Sequence, residues 1–195
     1  MAPACEAGPA PEQRAWIGLG ANLGEPRQAL AAALAALARL PGTRLAAVSS
    51  LYRSAPVDAD GPDFLNAVAA LDTHLSATTL LAALQRLEAE AGRTRPYRNA
   101  PRLLDLDLLL HGGQRIDSPT LTLPHPRMHL RAFVLAPLAE LDPGLVLPGR
   151  GPVGALLQAL NGQRIERLAE GLVMPEGNPG HDDDPVPAAH QHPDR

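Results

Sequence analysis

The sequence predicts an α+β domain in β-α-β-β-α-β order, followed by an α-rich C-terminal extension. Two stretches carry leucines at helical spacing: Leu30, Leu34 and Leu37 in one, and Leu80, Leu84 and Leu87 in the other. Short apolar runs of strand length flank both, two of them lying between the helices. Pro and Gly separate the pieces, as at Pro41-Gly42 and Gly92.

Taken in order, residues 15–19 form a short apolar strand that runs into Gly18, Gly20 and Gly24. Pro26 suits the first turn of the helix that follows, because it has no N–H to lose there. Residues 43–54 read as one strand and 64–75 as the next, joined by a loop through Pro56, Gly61 and Pro62. Residues 77–91 make the second helix, with Leu80, Leu84, Leu87 and Ala91 turned inward. Residues 103–110 form a leucine strand interrupted by Asp105 and Asp107. A turn at Gly112-Gly113, a Pro-rich loop at 119–126 and short helices near 129–136 and 152–160 complete the body. This is the split-βαβ, ferredoxin-like order, which gives an antiparallel sheet with both helices on one face. An extension covering the other face makes a three-layer α-β-α domain.

The 195 residues are 45% hydrophobic and 19% charged, enough for one sizeable core. Residues 1–13 read as a flexible leader, 14–172 as one domain, and 173–195 as a disordered tail rich in Pro, His and Asp. No apolar run reaches membrane-span length, and the leader lacks the basic start and apolar stretch of a secretory signal. Cys5 is the only cysteine, which excludes an internal disulfide framework. A cytoplasmic monomer without membrane or nucleic-acid partners is expected.

The net charge of −4 argues against general nucleic-acid binding, yet the charge is uneven. All 17 basic residues are arginine, and five of them (Arg86, Arg93, Arg95, Arg98 and Arg102) fall within 85–102 against Glu88 and Glu90. Such a cluster suits a small polyanion, since the guanidinium fork grips phosphate in two places. Asp105 and Asp107 follow at once. At strand spacing both carboxylates project to one face while Leu104, Leu106 and Leu108 point to the other. Two hard oxygen donors on a rigid strand suit Mg²⁺, which takes one or two carboxylates beside substrate phosphates. Mutual neutralisation of acids and arginines is the plainer alternative, but it does not require five arginines.

Gly18, Gly20 and Gly24 have GxGxxxG spacing, one residue too long for a dinucleotide fingerprint, and a tight strand-to-helix turn accounts for them. Asn22 reads as a turn or capping residue. Gln85 and Glu88 share a helix face beside the arginine loop. Two other classes remain open: a nucleic-acid module, which wants aromatics on its strands, and a two-metal phosphoesterase, which wants more ligands.

These pieces, in order over roughly 15–160, resemble the 6-hydroxymethyl-7,8-dihydropterin pyrophosphokinase family. The matching segments are 17–24, 50–54, 63–68, 85–88 and 93–107, then 123–128 leading to Arg131 and Phe133. The run Arg98-Asn99-Ala100-Pro101-Arg102-Leu103-Leu104-Asp105-Leu106-Asp107 is the most specific of them. The resemblance implies transfer of the β,γ-pyrophosphoryl unit of ATP to the pterin hydroxymethyl group, with release of AMP, in folate biosynthesis. It implies two Mg²⁺ on Asp105 and Asp107, and phosphates braced by Arg93 and Arg102. ATP would contact Gln85, Glu88, Arg95, Arg102, Thr122, His125 and Arg131. The pterin ring would lie between Phe64 and Phe133, its edge read by Ser54, Asn66 and the backbone at Ala55 and Val57. Loops 55–62 and 93–101 would be mobile lids. Asn99, Leu103 and Pro126 depart from the common pattern, where Trp, Thr and Tyr are frequent.

Overall fold

The computed structural model describes residues 11–56, 61–92 and 103–175, so the expected leader and tail fall largely outside the described residues. The first strand, β1 (Gln13–Ala21), already includes Gln13. α1 (Pro26–Leu37) follows with Pro26 in its first turn and Leu30, Leu34 and Leu37 buried. Glu25 holds the position before that helix and makes no side-chain cap, so Asn22 is not a capping residue.

The strand expected over 43–54 is two, β2 (Thr43–Val48) and β3 (Tyr52–Ser54). At the break, Ser49 substitutes its side chain for a ladder partner: Oγ accepts from the Val68 N–H at 3.0 Å. Both strands pair antiparallel with β4 (Phe64–Thr73). α2 (Ala77–Glu90) starts at Ser76, whose hydroxyl accepts from the Thr79 N–H. Leu80 and Leu84 are buried and Leu87 partly so, but Ala91 is exposed because the helix has already ended. β5 (Asp105–His111) pairs with β1.

The C-terminal part contains the hairpin β6 (Ile116–Asp117) and β7 (Thr122–Leu123), then a 3₁₀ turn at Met128–Leu130 and α3 (Ala132–Leu141). β8 (Val146–Leu147), β9 (Gly151–Pro152), α4 (Val153–Gln158) and β10 (Ile165–Arg167) finish the order. α3 was expected to end before Pro137 and instead runs through it. Residues Val134–Leu138 are all buried, and that burial outweighs the lost hydrogen bond.

The main sheet is antiparallel, in the order β10-β3-β4-β1-β5, with β2 also on β4. Its faces carry separate cores. Ile17, Leu19, Ala67, Ala69, Leu106 and Leu108 meet the leucines of α1 and α2. On the opposite face, Trp16, Val68, Ala70 and Leu109 meet Val134, Leu135 and Leu138 of α3 and Val153 of α4. No helix among the described residues is long and apolar enough to cross a membrane.

Candidate active site

The face that carries α3 changes character toward one end. Across the strands, Ser54 pairs with Phe64, Tyr52 with Asn66, Asn66 with Gly20, and Gly20 with Asp105. One pleat further in, Val68 pairs with Gly18 and Gly18 with Asp107. Opposite residues in a sheet share a face, as do residues two apart along a strand. Ser54, Phe64, Asn66, Gly18, Gly20, Asp105 and Asp107 therefore lie on one surface, beside the apolar patch under α3.

The glycines form its floor. Gly18 and Gly20 lie inside β1, so the turn reading holds only for Gly24, which has φ +62°. A Cβ on Gly20 would sit 3.5 Å from Asn66 Oδ1 and 4.0 Å from Asp105 Cβ. One on Gly18 would touch the Leu109 side chain at 3.4 Å. Their missing side chains keep the space between the amide and the carboxylates clear.

Asp105 and Asp107 are half-buried and alternate with buried Leu104, Leu106 and Leu108. Glu88 is 2% exposed, and its Oε1 accepts from the Leu106 N–H at 3.0 Å. That N–H belongs to the residue between the two aspartates, so α2 grips the strand where the acids leave it. Gln85, one turn earlier, is exposed.

The C-terminal layer contributes His125 and Arg131. His125 Nε2 lies 3.9 Å from Asp107 Oδ2, and Arg131 Nη1 lies 3.7 Å from the same oxygen. Burial lowers the His125 pKa, with Arg131 and Arg127 acting in the same direction against Asp107 and Asp105. The neutral ring accepts at Nδ1 from the Arg127 N–H (3.3 Å), which leaves the proton on Nε2, toward Asp107. The His125 N–H donates to the Leu109 carbonyl at 2.9 Å, tying this loop to β5. The Arg131 guanidinium lies 5.5 Å from the Phe133 ring centroid. Phe133, like Phe64, is half-buried. Thr122 and His125 also line a cavity of about 380 Å³, with Arg115, His129 and Arg150 around it.

Ser54 and Asn66 are buried, and Asn66 Nδ2 donates to Ser54 Oγ at 3.0 Å and to the Tyr52 carbonyl at 3.3 Å. Asn22, read from sequence as a local turn residue, donates from Nδ2 to the Pro62 carbonyl at 3.1 Å and so anchors the loop before Phe64. Ala55 is exposed at the end of β3. Val57, Arg93, Arg95, Arg98 and Arg102 lie outside the described residues.

Sequence reasoning missed two groups that tie distant segments to the chain around α3. Glu140 accepts from the Ser50 N–H, the Ser50 hydroxyl and the Tyr52 hydroxyl, and pairs with Arg167. Gln163 bonds the backbone on both sides of Arg131. Neither has a local sequence signal, because the partners are 27 to 90 residues away.

Paired carboxylates beside Arg131 and His125, at a sheet end floored by glycines, have the chemistry to hold a phosphate group. Residues 16–143 match the model of the 7,8-dihydro-6-hydroxymethylpterin-pyrophosphokinase family, and the chain belongs to that family. It is 54% identical over 157 residues to the 2-amino-4-hydroxy-6-hydroxymethyldihydropteridine pyrophosphokinase of Pseudomonas aeruginosa, covering 80% of this chain and 97% of that one. The Haemophilus influenzae enzyme of the same name is 44% identical over 155 residues, covering 79% and 97%. Among solved structures, an HPPK-DHPS in complex with substrates superposes with a TM-score of 0.64 at 11% identity. The likeness covers 77% of this chain and 43% of that one, so this chain spans under half its length, and it speaks to fold alone.

Proposed function

We propose that this protein transfers the pyrophosphoryl group of ATP to the hydroxymethyl oxygen of 6-hydroxymethyl-7,8-dihydropterin, releasing AMP. The observation that carries the reading is the placement of Asp105 and Asp107 on one face with His125 and Arg131 against Asp107. It is supported by the names of the relatives. The strand order also supports a ferredoxin-like core, with β2 and β3 together as its second strand.

The chemistry of the donor set fits Mg²⁺. Asp105 and Asp107 offer two hard carboxylates on one face of β5, and Mg²⁺ commonly takes one or two carboxylates with phosphate oxygens and water at its other positions. Asp105 and Asp107 would hold two Mg²⁺, which supply neutralisation of the polyphosphate charge. The chain's own residues do the rest. Arg131 places a fixed positive charge beside Asp107, where a phosphate oxygen lowers its energy. Neutral His125 presents an Nε2–H donor there. Arg93 and Arg102 brace the phosphates, while Gln85, Glu88, Arg95 and Thr122 contribute to nucleotide binding. Phe64 and Phe133 enclose the pterin ring, with Ser54, Asn66, Ala55 and Val57 at its edge. Catalysis then rests on alignment and charge, with no protein base required. We further propose that the protein acts as a cytoplasmic monomer.

Incubation with ATP, Mg²⁺ and the reduced pterin, followed by chromatography of the nucleotides, tests the reading. AMP formed only when pterin is present supports it. ADP indicates an ordinary kinase, and pterin-independent hydrolysis a phosphoesterase; either result overturns it.

A further inference from the structure

The residue in the capping position just before α3 is Arg131, an unsuitable cap: a helix start prefers a short side chain that accepts a hydrogen bond from the first exposed N–H groups. Arginine has no acceptor, and this one points away, toward Asp107 and over Phe133. The helix has no cap from its own N-terminal residue. The missing acceptor comes from 31 residues away. Gln163 Oε1 accepts from the Ala132 N–H at 2.8 Å, and Gln163 Nε2 donates to the Leu130 carbonyl at 2.8 Å. One amide thus closes on the chain immediately before and immediately after Arg131.

Gln163 is itself held in place. Its N–H donates to the Leu160 carbonyl at 2.9 Å. Two residues on, β10 begins, and Ile165 pairs with Ser54 of β3, the strand whose Ser54 in turn pairs with Phe64. The clamp therefore connects the strand side of the site to the start of the helix that carries Arg131 and Phe133. Further along α3, Pro137 has no N–H to give the Phe133 carbonyl four residues back, so the helix ladder holds that first turn less firmly.

We propose that Gln163 is a positioning residue for the phosphate-transfer site, a remote cap that frees Arg131 from capping and fixes its guanidinium beside Asp107. The positioning role rests on the reading of Arg131 as a nucleotide contact given above; the clamp itself does not. Gln163 is largely exposed, so replacing it removes little packing.

Gln163→Met keeps the length of the side chain and removes both hydrogen bonds. Two measurements decide. Amide hydrogen exchange at Ala132 is expected to speed up at least about tenfold while the melting transition stays cooperative. Affinity for a non-hydrolysable ATP analogue is expected to fall about three- to tenfold, and this loss is expected to vanish when the substitution is made in an Arg131→Ala background. Gln163→Glu, which keeps the acceptor but not the donor, should restore Ala132 protection in part. Unchanged exchange at Ala132 overturns the clamp. Faster exchange with unchanged nucleotide affinity, or a loss of affinity that adds fully to that of Arg131→Ala, reduces Gln163 to a structural cap and overturns the positioning role. If Arg131→Ala alone leaves nucleotide affinity intact, the assignment of Arg131 fails and the positioning role with it, while the exchange result still decides the clamp.

Discussion

Glu88 and Leu106 are joined by a buried hydrogen bond, carboxylate Oε1 to backbone N–H at 3.0 Å, and Leu106 is the residue between Asp105 and Asp107. A helix side chain is therefore bonded to the backbone from which both carboxylates of the site project. Removing the acceptor strands a buried N–H, which costs about 1–3 kcal/mol. Glu88→Ala is expected to lose that much stability in urea unfolding, and turnover should fall with it. Glu88→Gln keeps an acceptor and should recover most of the stability.

Asp105→Asn and Asp107→Asn should each leave a cooperative fold, because both side chains are half-buried at an open surface. Transfer should drop by at least about 100-fold, since even partners outside a metal's ligand shell are worth about 10–100-fold. Turnover measured against Mg²⁺ concentration checks this. Near-normal rates at ordinary Mg²⁺ would remove the carboxylates from the mechanism.

Phe64 and Phe133 offer a separate check on the flat substrate. A fully packed Phe→Ala change costs about 3–5 kcal/mol. Both rings are half-buried, so each truncation should cost less than that and weaken pterin binding about tenfold or more. Melting curves together with pterin titrations at saturating ATP analogue distinguish the two effects. A full core-sized loss with normal pterin affinity would return both rings to the core.

The Tyr52–Glu140 pair makes a pH prediction. Burial, and next the hydrogen bond and charge of Glu140, push the Tyr52 hydroxyl up to about 12. A raised folded-state value means the folded chain holds its proton longer than the unfolded chain does. The contribution is complete below pH 10 and is lost as pH rises through about 12. Burial pushes the Glu140 carboxyl up, but the hydrogen bonds from Tyr52 and Ser50 and the charge of Arg167 outweigh it, leaving it below its ordinary value. That contribution is lost as pH falls through the acid range. Absorbance titration near 295 nm should show a tyrosine ionising near pH 12 that disappears in Tyr52→Phe.

Much of this arrangement could be read from residue order. Leu-Asp-Leu-Asp-Leu, running from Leu104 into β5, is a period-two pattern, and the structure turns its acids to one face as that period requires. The helical leucines likewise found their face. Gly18 and Gly20 resemble turn glycines in the sequence because a strand's need for open space has no local pattern; only the partners on β4 and β5 reveal it. The division of 43–54 into two strands depends on Ser49 and Val68, and the passage of α3 through Pro137 depends on burial against the sheet. Gln163 has no chemistry of its own to announce it. It matters only because Arg131 occupies a capping position it cannot fill.

The identity of the transferred group is the most direct test of the whole reading. ATP labelled separately at the β and γ phosphorus should deliver both labels to the pterin ester, with one AMP formed per ester, and Asp107→Asn should suppress both labels equally. Transfer of the γ label alone with ADP as the product, or β and γ labels released as free diphosphate without ester, would contradict it.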